Sequence, residues 1–60
     1  MANFTVIVQG RLITECPCYY SYGYQVMASS PSDALEQGMK AWRKMNPTHD
    51  FVEARVIYVG

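Results

Sequence analysis

The residue types capable of chemistry gather in two places. Cys16, Pro17 and Cys18 run directly into Tyr19, Tyr20, Tyr22 and Tyr24, while His49 and Asp50 stand together far along the chain. Two thiolates with His49 and with Asp50 or Glu15 have the donor types of a zinc site. The spacing suits it poorly, because structural zinc motifs separate paired cysteines by more than one residue. A disulfide between Cys16 and Cys18 would close a very small, strained ring. The pair therefore reads as turn thiols, with Cys16, Cys18 and His49 as weak metal candidates and no cofactor expected.

Catalysis finds little support. A general base needs a partner within hydrogen-bond reach, and Asp50, next to His49 in sequence, is expected to point elsewhere. His49 reads as a loop histidine before the last strand. Ser21, Ser29, Ser30 and Ser32 lie in no nucleophile-elbow pattern, and the four glycines form no phosphate loop. The expected protein is not an enzyme. The tyrosines remain: each offers a large apolar ring with a polar tip, which suits contact with a partner.

Composition narrows the partner. Five basic residues balance five acidic ones, which counts against phosphate-driven binding to nucleic acid. Sixty residues make a single domain, 1–60, whose stability is marginal unless something pairs or staples it. The hydrophobic share of 50% is that of a globular chain, too high for disorder. No apolar run approaches the roughly 20 residues of a membrane helix. The N-terminus, Met1-Ala2-Asn3-Phe4, lacks the basic-then-apolar order of a signal peptide. The chain reads as cytoplasmic, with its two cysteines as free thiols.

The elements that must position these residues follow from periodicity. Residues 4–9 are β-branched, aromatic and uncharged, and predict a strand with Phe4, Val6 and Val8 on one face and Thr5, Ile7 and Gln9 on the other. Gly10 permits a bulge, beyond which residues 11–14 can continue the strand. Residues 15–18 read as a turn around Pro17. Residues 19–28 predict a second strand, with Tyr20, Tyr22, Tyr24, Val26 and Ala28 on one face and Tyr19, Ser21, Gly23, Gln25 and Met27 on the other. Gly23 suggests a second bulge.

A helix begins after Ser30, an N-cap residue followed by Pro31, whose missing N–H costs nothing at the first helical position. Asp33 is a shortened capping-box partner. Asp33 and Glu36 favour the positive N-terminus of the helix; Lys40, Arg43 and Lys44 favour its C-terminus. Pro47 ends the run. Ala34, Leu35, Gly38, Ala41, Trp42 and Met45 fall on one stripe. Gly38 within that stripe suggests close approach to a sheet. Residues 51–59 predict a third strand, with Val52, Ala54, Val56 and Tyr58 on one face and Phe51, Glu53, Arg55, Ile57 and Val59 on the other.

The fold class is therefore α+β, in the order β-β-α-β. A hairpin followed by a right-handed crossover gives a three-stranded antiparallel sheet of order 2-1-3 with the helix on one face. One helix covers one sheet face. The open face would hold Ile7, Ile13, Phe51, Ile57 and Val59 beside Thr5, Gln9, Glu53 and Arg55, more apolar than solvation requires. Tyr24 is expected in the core near Val26. Tyr19, Tyr20 and Tyr22 are expected exposed, toward the hairpin tip.

The segment from Tyr24 to Ala34, a strand entering a capped helix through small residues, resembles a pattern in very small phage and mobile-element proteins, including some anti-CRISPR inhibitors. The resemblance implies a compact protein that occupies a surface of a host complex. It carries over no functional residue. The expected function is stoichiometric, non-enzymatic binding of a protein through Tyr19, Tyr20, Tyr22, Arg55 and Ile57. Two alternatives are a nucleic-acid binder that stacks bases on the tyrosines, helped by Arg11, Lys40, Arg43 and Lys44, and a metal or thiol module at Cys16 and Cys18. A homodimer through the open face or a strand edge is compatible with the small core.

Overall fold

The computed structural model describes residues 1–12 and 19–60. Strand β1 runs Ala2–Leu12, β2 Tyr19–Ala28, helix α1 Pro31–Met45 and β3 His49–Tyr58. The expectations for Ile13, for the turn over 15–18 and for Cys16 and Cys18 fall outside the described residues. The sheet is antiparallel throughout, in the order β2-β1-β3. This is the expected α+β arrangement. β1 takes the centre; its residues 2–10 carry no charge, and Arg11 near its end lies opposite Asp50 of β3.

The helix start is built as its sequence requires. The Ser30 backbone is extended, and its hydroxyl accepts from the Asp33 N–H at 3.2 Å. The carboxylate of Asp33 does not return to Ser30; it accepts from the Ser29 hydroxyl at 2.7 Å. At the far end Asn46 caps the chain, its side-chain amide donating to the Trp42 carbonyl at 3.1 Å. Ser30→Ala removes the hydroxyl that accepts from the Asp33 N–H and is expected to lower stability by about 1 kcal/mol. A urea titration should show this as a lower midpoint with unchanged slope.

The core is small. Phe4, Val6 and Val8 of β1, Ala28 of β2, and Ala34 and Trp42 of α1 are buried, and Tyr22, Tyr24, Val26, Met39, Ala54 and Val56 pack around them. The helical stripe is narrower than periodicity suggests. Ala34, Gly38 and Trp42, spaced four apart, take the buried line, whereas Leu35 and Met45 are exposed. Two glycines set the depth of the contact. A Cβ on Gly38 would lie 2.5 Å from Val6 Cγ1, and one on Gly10 would lie 2.5 Å from Cζ2 of Trp42. The helix backbone thus rests on Val6, and the indole rests on the bare backbone of β1.

Two sequence expectations are corrected here. Gly23 marks no bulge: the β1–β2 register passes unbroken through Ile7 and Gly23. The irregularity lies between β1 and β3, where Gln9 pairs with Glu53 but Gly10 pairs with Phe51, leaving Val52 as the extra residue. An extra residue reverses the alternation of everything beyond it. Phe51 therefore lies on the helix face, its ring centroid 6.2 Å from that of Trp42, and not on the open face. Val52, expected toward the helix, is exposed.

Candidate functional site

Because Val52 shifts the alternation, β3 also turns His49 toward the helix, opposite Leu12 of β1. His49 is therefore no loop residue. It opens β3, half-buried among rings supplied by two other elements. Tyr20 and Tyr22 approach it from β2, with ring centroids at 6.0 and 5.7 Å, and Trp42 from the helix at 6.4 Å, all edge-to-face. The Tyr22 hydroxyl and His49 Nε2 are hydrogen-bonded at 3.0 Å. Edge-to-face packing is the favoured geometry for such rings.

Tyr22 was expected to be exposed beyond the helix. It is half-buried and polar-bonded, because the helix C-terminus brings Trp42 over this end of the sheet and β3 supplies His49. Tyr20 retains 44% exposure and Tyr19 59%. The tyrosines between 19 and 24 are thus divided by the pleat. Tyr20, Tyr22 and Tyr24 line the helix side and Tyr19 lies on the other face. Tyr24 packs against the core as expected.

The electrostatics of this ring cluster are sparse. His49 Nδ1 and Trp42 Nε1 are enclosed and find no hydrogen-bond partner among the described residues. Leaving such an atom unpaired costs about 1–3 kcal/mol, so ring packing and the Tyr22 contact hold this end together. Asp50 does not orient the histidine. It points to the opposite side of β3, with a carboxylate oxygen 3.7 Å from the Arg11 guanidinium. Among the described residues no three of His, Cys, Asp and Glu come together as a metal site. Tyr22→Phe removes the one polar contact of the imidazole among the described residues and is expected to cost about 1 kcal/mol, read as a lower thermal midpoint with the fold retained.

The open face has a different character. Tyr19, Met27, Ile57 and Val59 are exposed there at 59, 58, 46 and 63%. The face also holds Ser21 and Gln25 of β2, Arg11, Thr5, Ile7 and Gln9 of β1, and Glu53 and Arg55 of β3, following the observed registers. Midway along the β2 edge Gly23 sits opposite Ile7, and a Cβ there would touch nothing within 4 Å. Gly23 has no positive φ and no bulge to accommodate. Its bare backbone leaves a dent between Ser21 and Gln25, its neighbours on this face, with Tyr19 and Met27 four residues away on either side. Beside it Ile7, Gln9, Glu53 and Arg55 line a shallow depression of about 180 Å³.

Of the residues singled out as contacts, Tyr19, Arg55 and Ile57 share this face, whereas Tyr20 and Tyr22 belong to the ring cluster. The placement of Tyr19 and Ile57 follows from strand alternation alone. The dent at Gly23 was missed because its glycine was taken for a bulge; the regular alternation around it was the available signal. Lys40 pairs with Glu36 at 3.5 Å along the helix, and Arg43 and Lys44 are exposed. No helix among the described residues is long and apolar enough to cross a membrane. Comparison of this chain with protein-family models, with curated proteins and with solved structures found no match.

Proposed function

We propose that this chain is a non-enzymatic interaction module that docks a protein partner on its open sheet face. The observation that carries the reading is the combination of four exposed large apolar side chains with a dent at Gly23 that the fold itself does not need. Glycine weakens a strand interior, and with no bulge or turn present, close approach by another molecule is its remaining use. Large apolar side chains left exposed on one face mark a contact site on a small protein: Met27, Ile57 and Val59 stand at one end of the face and Tyr19 at the other. Tyr19 and Ile57 serve as apolar anchors, and Arg55 and Glu53 as the polar rim. The balanced net charge favours a protein over nucleic acid. A stoichiometric inhibitor or accessory factor, of the kind the resemblance to small phage proteins suggests, is the concrete form.

The test compares capture by the tagged chain and by its variants from nuclease-treated lysate of the source cells. A stoichiometric protein band should be retained by the wild type and by Tyr20→Ala, and weakened at least about tenfold by Ile57→Asp, since anchor losses commonly exceed about 2 kcal/mol. Capture that disappears with nuclease, or that Ile57→Asp leaves intact while the variant remains folded by circular dichroism, rejects the reading.

A further inference from the structure

We infer that β2 is a self-pairing edge, joining two copies of this chain antiparallel into one six-stranded sheet. The argument starts from the direction of the backbone groups. Asn3 of β1 donates its N–H to the Gly60 carbonyl at 3.1 Å and accepts from the Val59 N–H at 2.8 Å. Odd-numbered residues of β1 from Asn3 to Gln9 therefore bond toward β3, and even-numbered ones toward β2, since the bonding direction alternates along a strand. The unbroken register pairs even residues of β1 with even residues of β2. Tyr19, Ser21, Gly23, Gln25 and Met27 consequently direct their N–H and C=O groups outward from the sheet.

A separate contact agrees with this direction. The Gln37 side-chain amide of the helix donates to the Met27 carbonyl at 3.1 Å. That outward carbonyl is satisfied within the chain, which closes one end of the exposed ladder. The backbone groups of Ser21, Gly23 and Gln25 remain directed outward along its middle.

Long flat edges invite pairing with another chain, and proteins guard them with charges, prolines or bulges. The β3 edge has such guards in Glu53, Arg55 and the extra residue Val52. The β2 sequence, Tyr-Tyr-Ser-Tyr-Gly-Tyr-Gln-Val-Met-Ala, has no charge, no proline and no bulge over its 10 residues.

The occupant is a second copy because the strand is complementary to itself. A two-fold axis through Gly23 preserves the faces of the sheet. It sets Gly23 against Gly23 of the second copy, Ser21 against its Gln25, Tyr22 against its Tyr24, Tyr20 against its Val26, and Tyr19 against its Met27. Aromatic, aromatic–aliphatic and hydroxyl–amide pairs of this kind are the favourable cross-strand pairs. The outward groups of Ser21, Gly23 and Gln25 would form about six ladder bonds across the axis. A closed two-fold arrangement of this kind leaves no unpaired β2 edge. Neither strand brings a charge to the seam, and the chain has no net charge to oppose association. The pairing uses the sheet edge and leaves the open face available, so it does not depend on the function proposed above.

The experiment measures molar mass by sedimentation equilibrium over about a hundredfold range of concentration. Amide hydrogen exchange on the same full-length samples follows the backbone. The mass should double, and the Ser21, Gly23 and Gln25 amides should exchange at least about tenfold more slowly in the concentrated sample. Gln25→Pro, which removes an outward N–H and no bond to β1, should remain monomeric at every concentration. A monomer throughout, or a doubled mass with those three amides still exchanging rapidly, overturns the proposal. The second result would place the contact on the open face instead. The exchange readout uses the unaltered chain, so it decides the matter even where Gln25→Pro fails to fold.

Discussion

Trp42→Ala is expected to abolish cooperative unfolding. Trp42 is 2% exposed, lies on the bare backbone of Gly10, and is edge-on to both His49 and Phe51. Truncating a buried tryptophan costs about 3–5 kcal/mol. A core in a chain this small supplies rarely more than about 3–5 kcal/mol in total, so the loss consumes essentially all of the stability. The thermal melt followed by circular dichroism should flatten, and amides of β1 should lose their protection. Trp42→Phe retains a ring over Gly10 and should melt cooperatively at a lower temperature. A sharp transition in Trp42→Ala near that of the wild type would show that the indole contact is not what joins the helix to this end of the sheet.

The second large effect has a sign opposite to helix propensity. Glycine within a helix is about 1 kcal/mol less favourable than alanine, so Gly38→Ala in isolation should stabilise. Here the new methyl would lie 2.5 Å from Val6 Cγ1 and 2.7 Å from Val6 Cβ. Val6 is fully buried in the central strand and has no space to yield. The helix must lift away or the strand must shift, and overpacking of this kind costs about 1–3 kcal/mol. We therefore expect a net loss of up to about 2 kcal/mol after the propensity gain is counted, seen as a lower urea midpoint. The double variant with Val6→Ala should recover part of that loss relative to the sum of the single changes, since the two side chains compete for one space. A stabilised Gly38→Ala would mean that the helix does not rest on Val6.

What could be read from the sequence divides along the range of the interaction involved. The second strand and the Ser30–Pro31 start of the helix follow from local features: alternation, a hydroxyl cap and a proline without an N–H. Each needs only neighbours a few residues away. The extra residue in β3 was not legible. Phe51 and Val52 are both large and apolar, so either can be assigned to the core face, and the choice depends on where β1 presents Gly10 rather than on β3 itself. The ring cluster was hidden for the same reason. Tyr20, Tyr22, Trp42 and His49 come from three elements, and nothing in the spacing of the tyrosines indicates that a histidine more than a helix away will meet them. Exposure of Tyr19 was legible because it depends only on the face of its own strand.

The extra residue at Val52 also has a meaning for descent. Along most of β3, losing a single residue would exchange the two faces of everything beyond it, carrying Glu53 or Arg55 toward the helix and a core side chain outward. Such a lineage would not persist. Between Phe51 and Glu53 the arithmetic is reversed, because alternation there already contains a surplus step. A descendant lacking Val52 would have a regular strand, with Phe51 and His49 still facing Trp42 and with Glu53 and Arg55 still facing outward. Length variation in β3 among relatives of this chain should therefore concentrate at this point, where a deletion leaves the meaning of every other position in the strand unchanged.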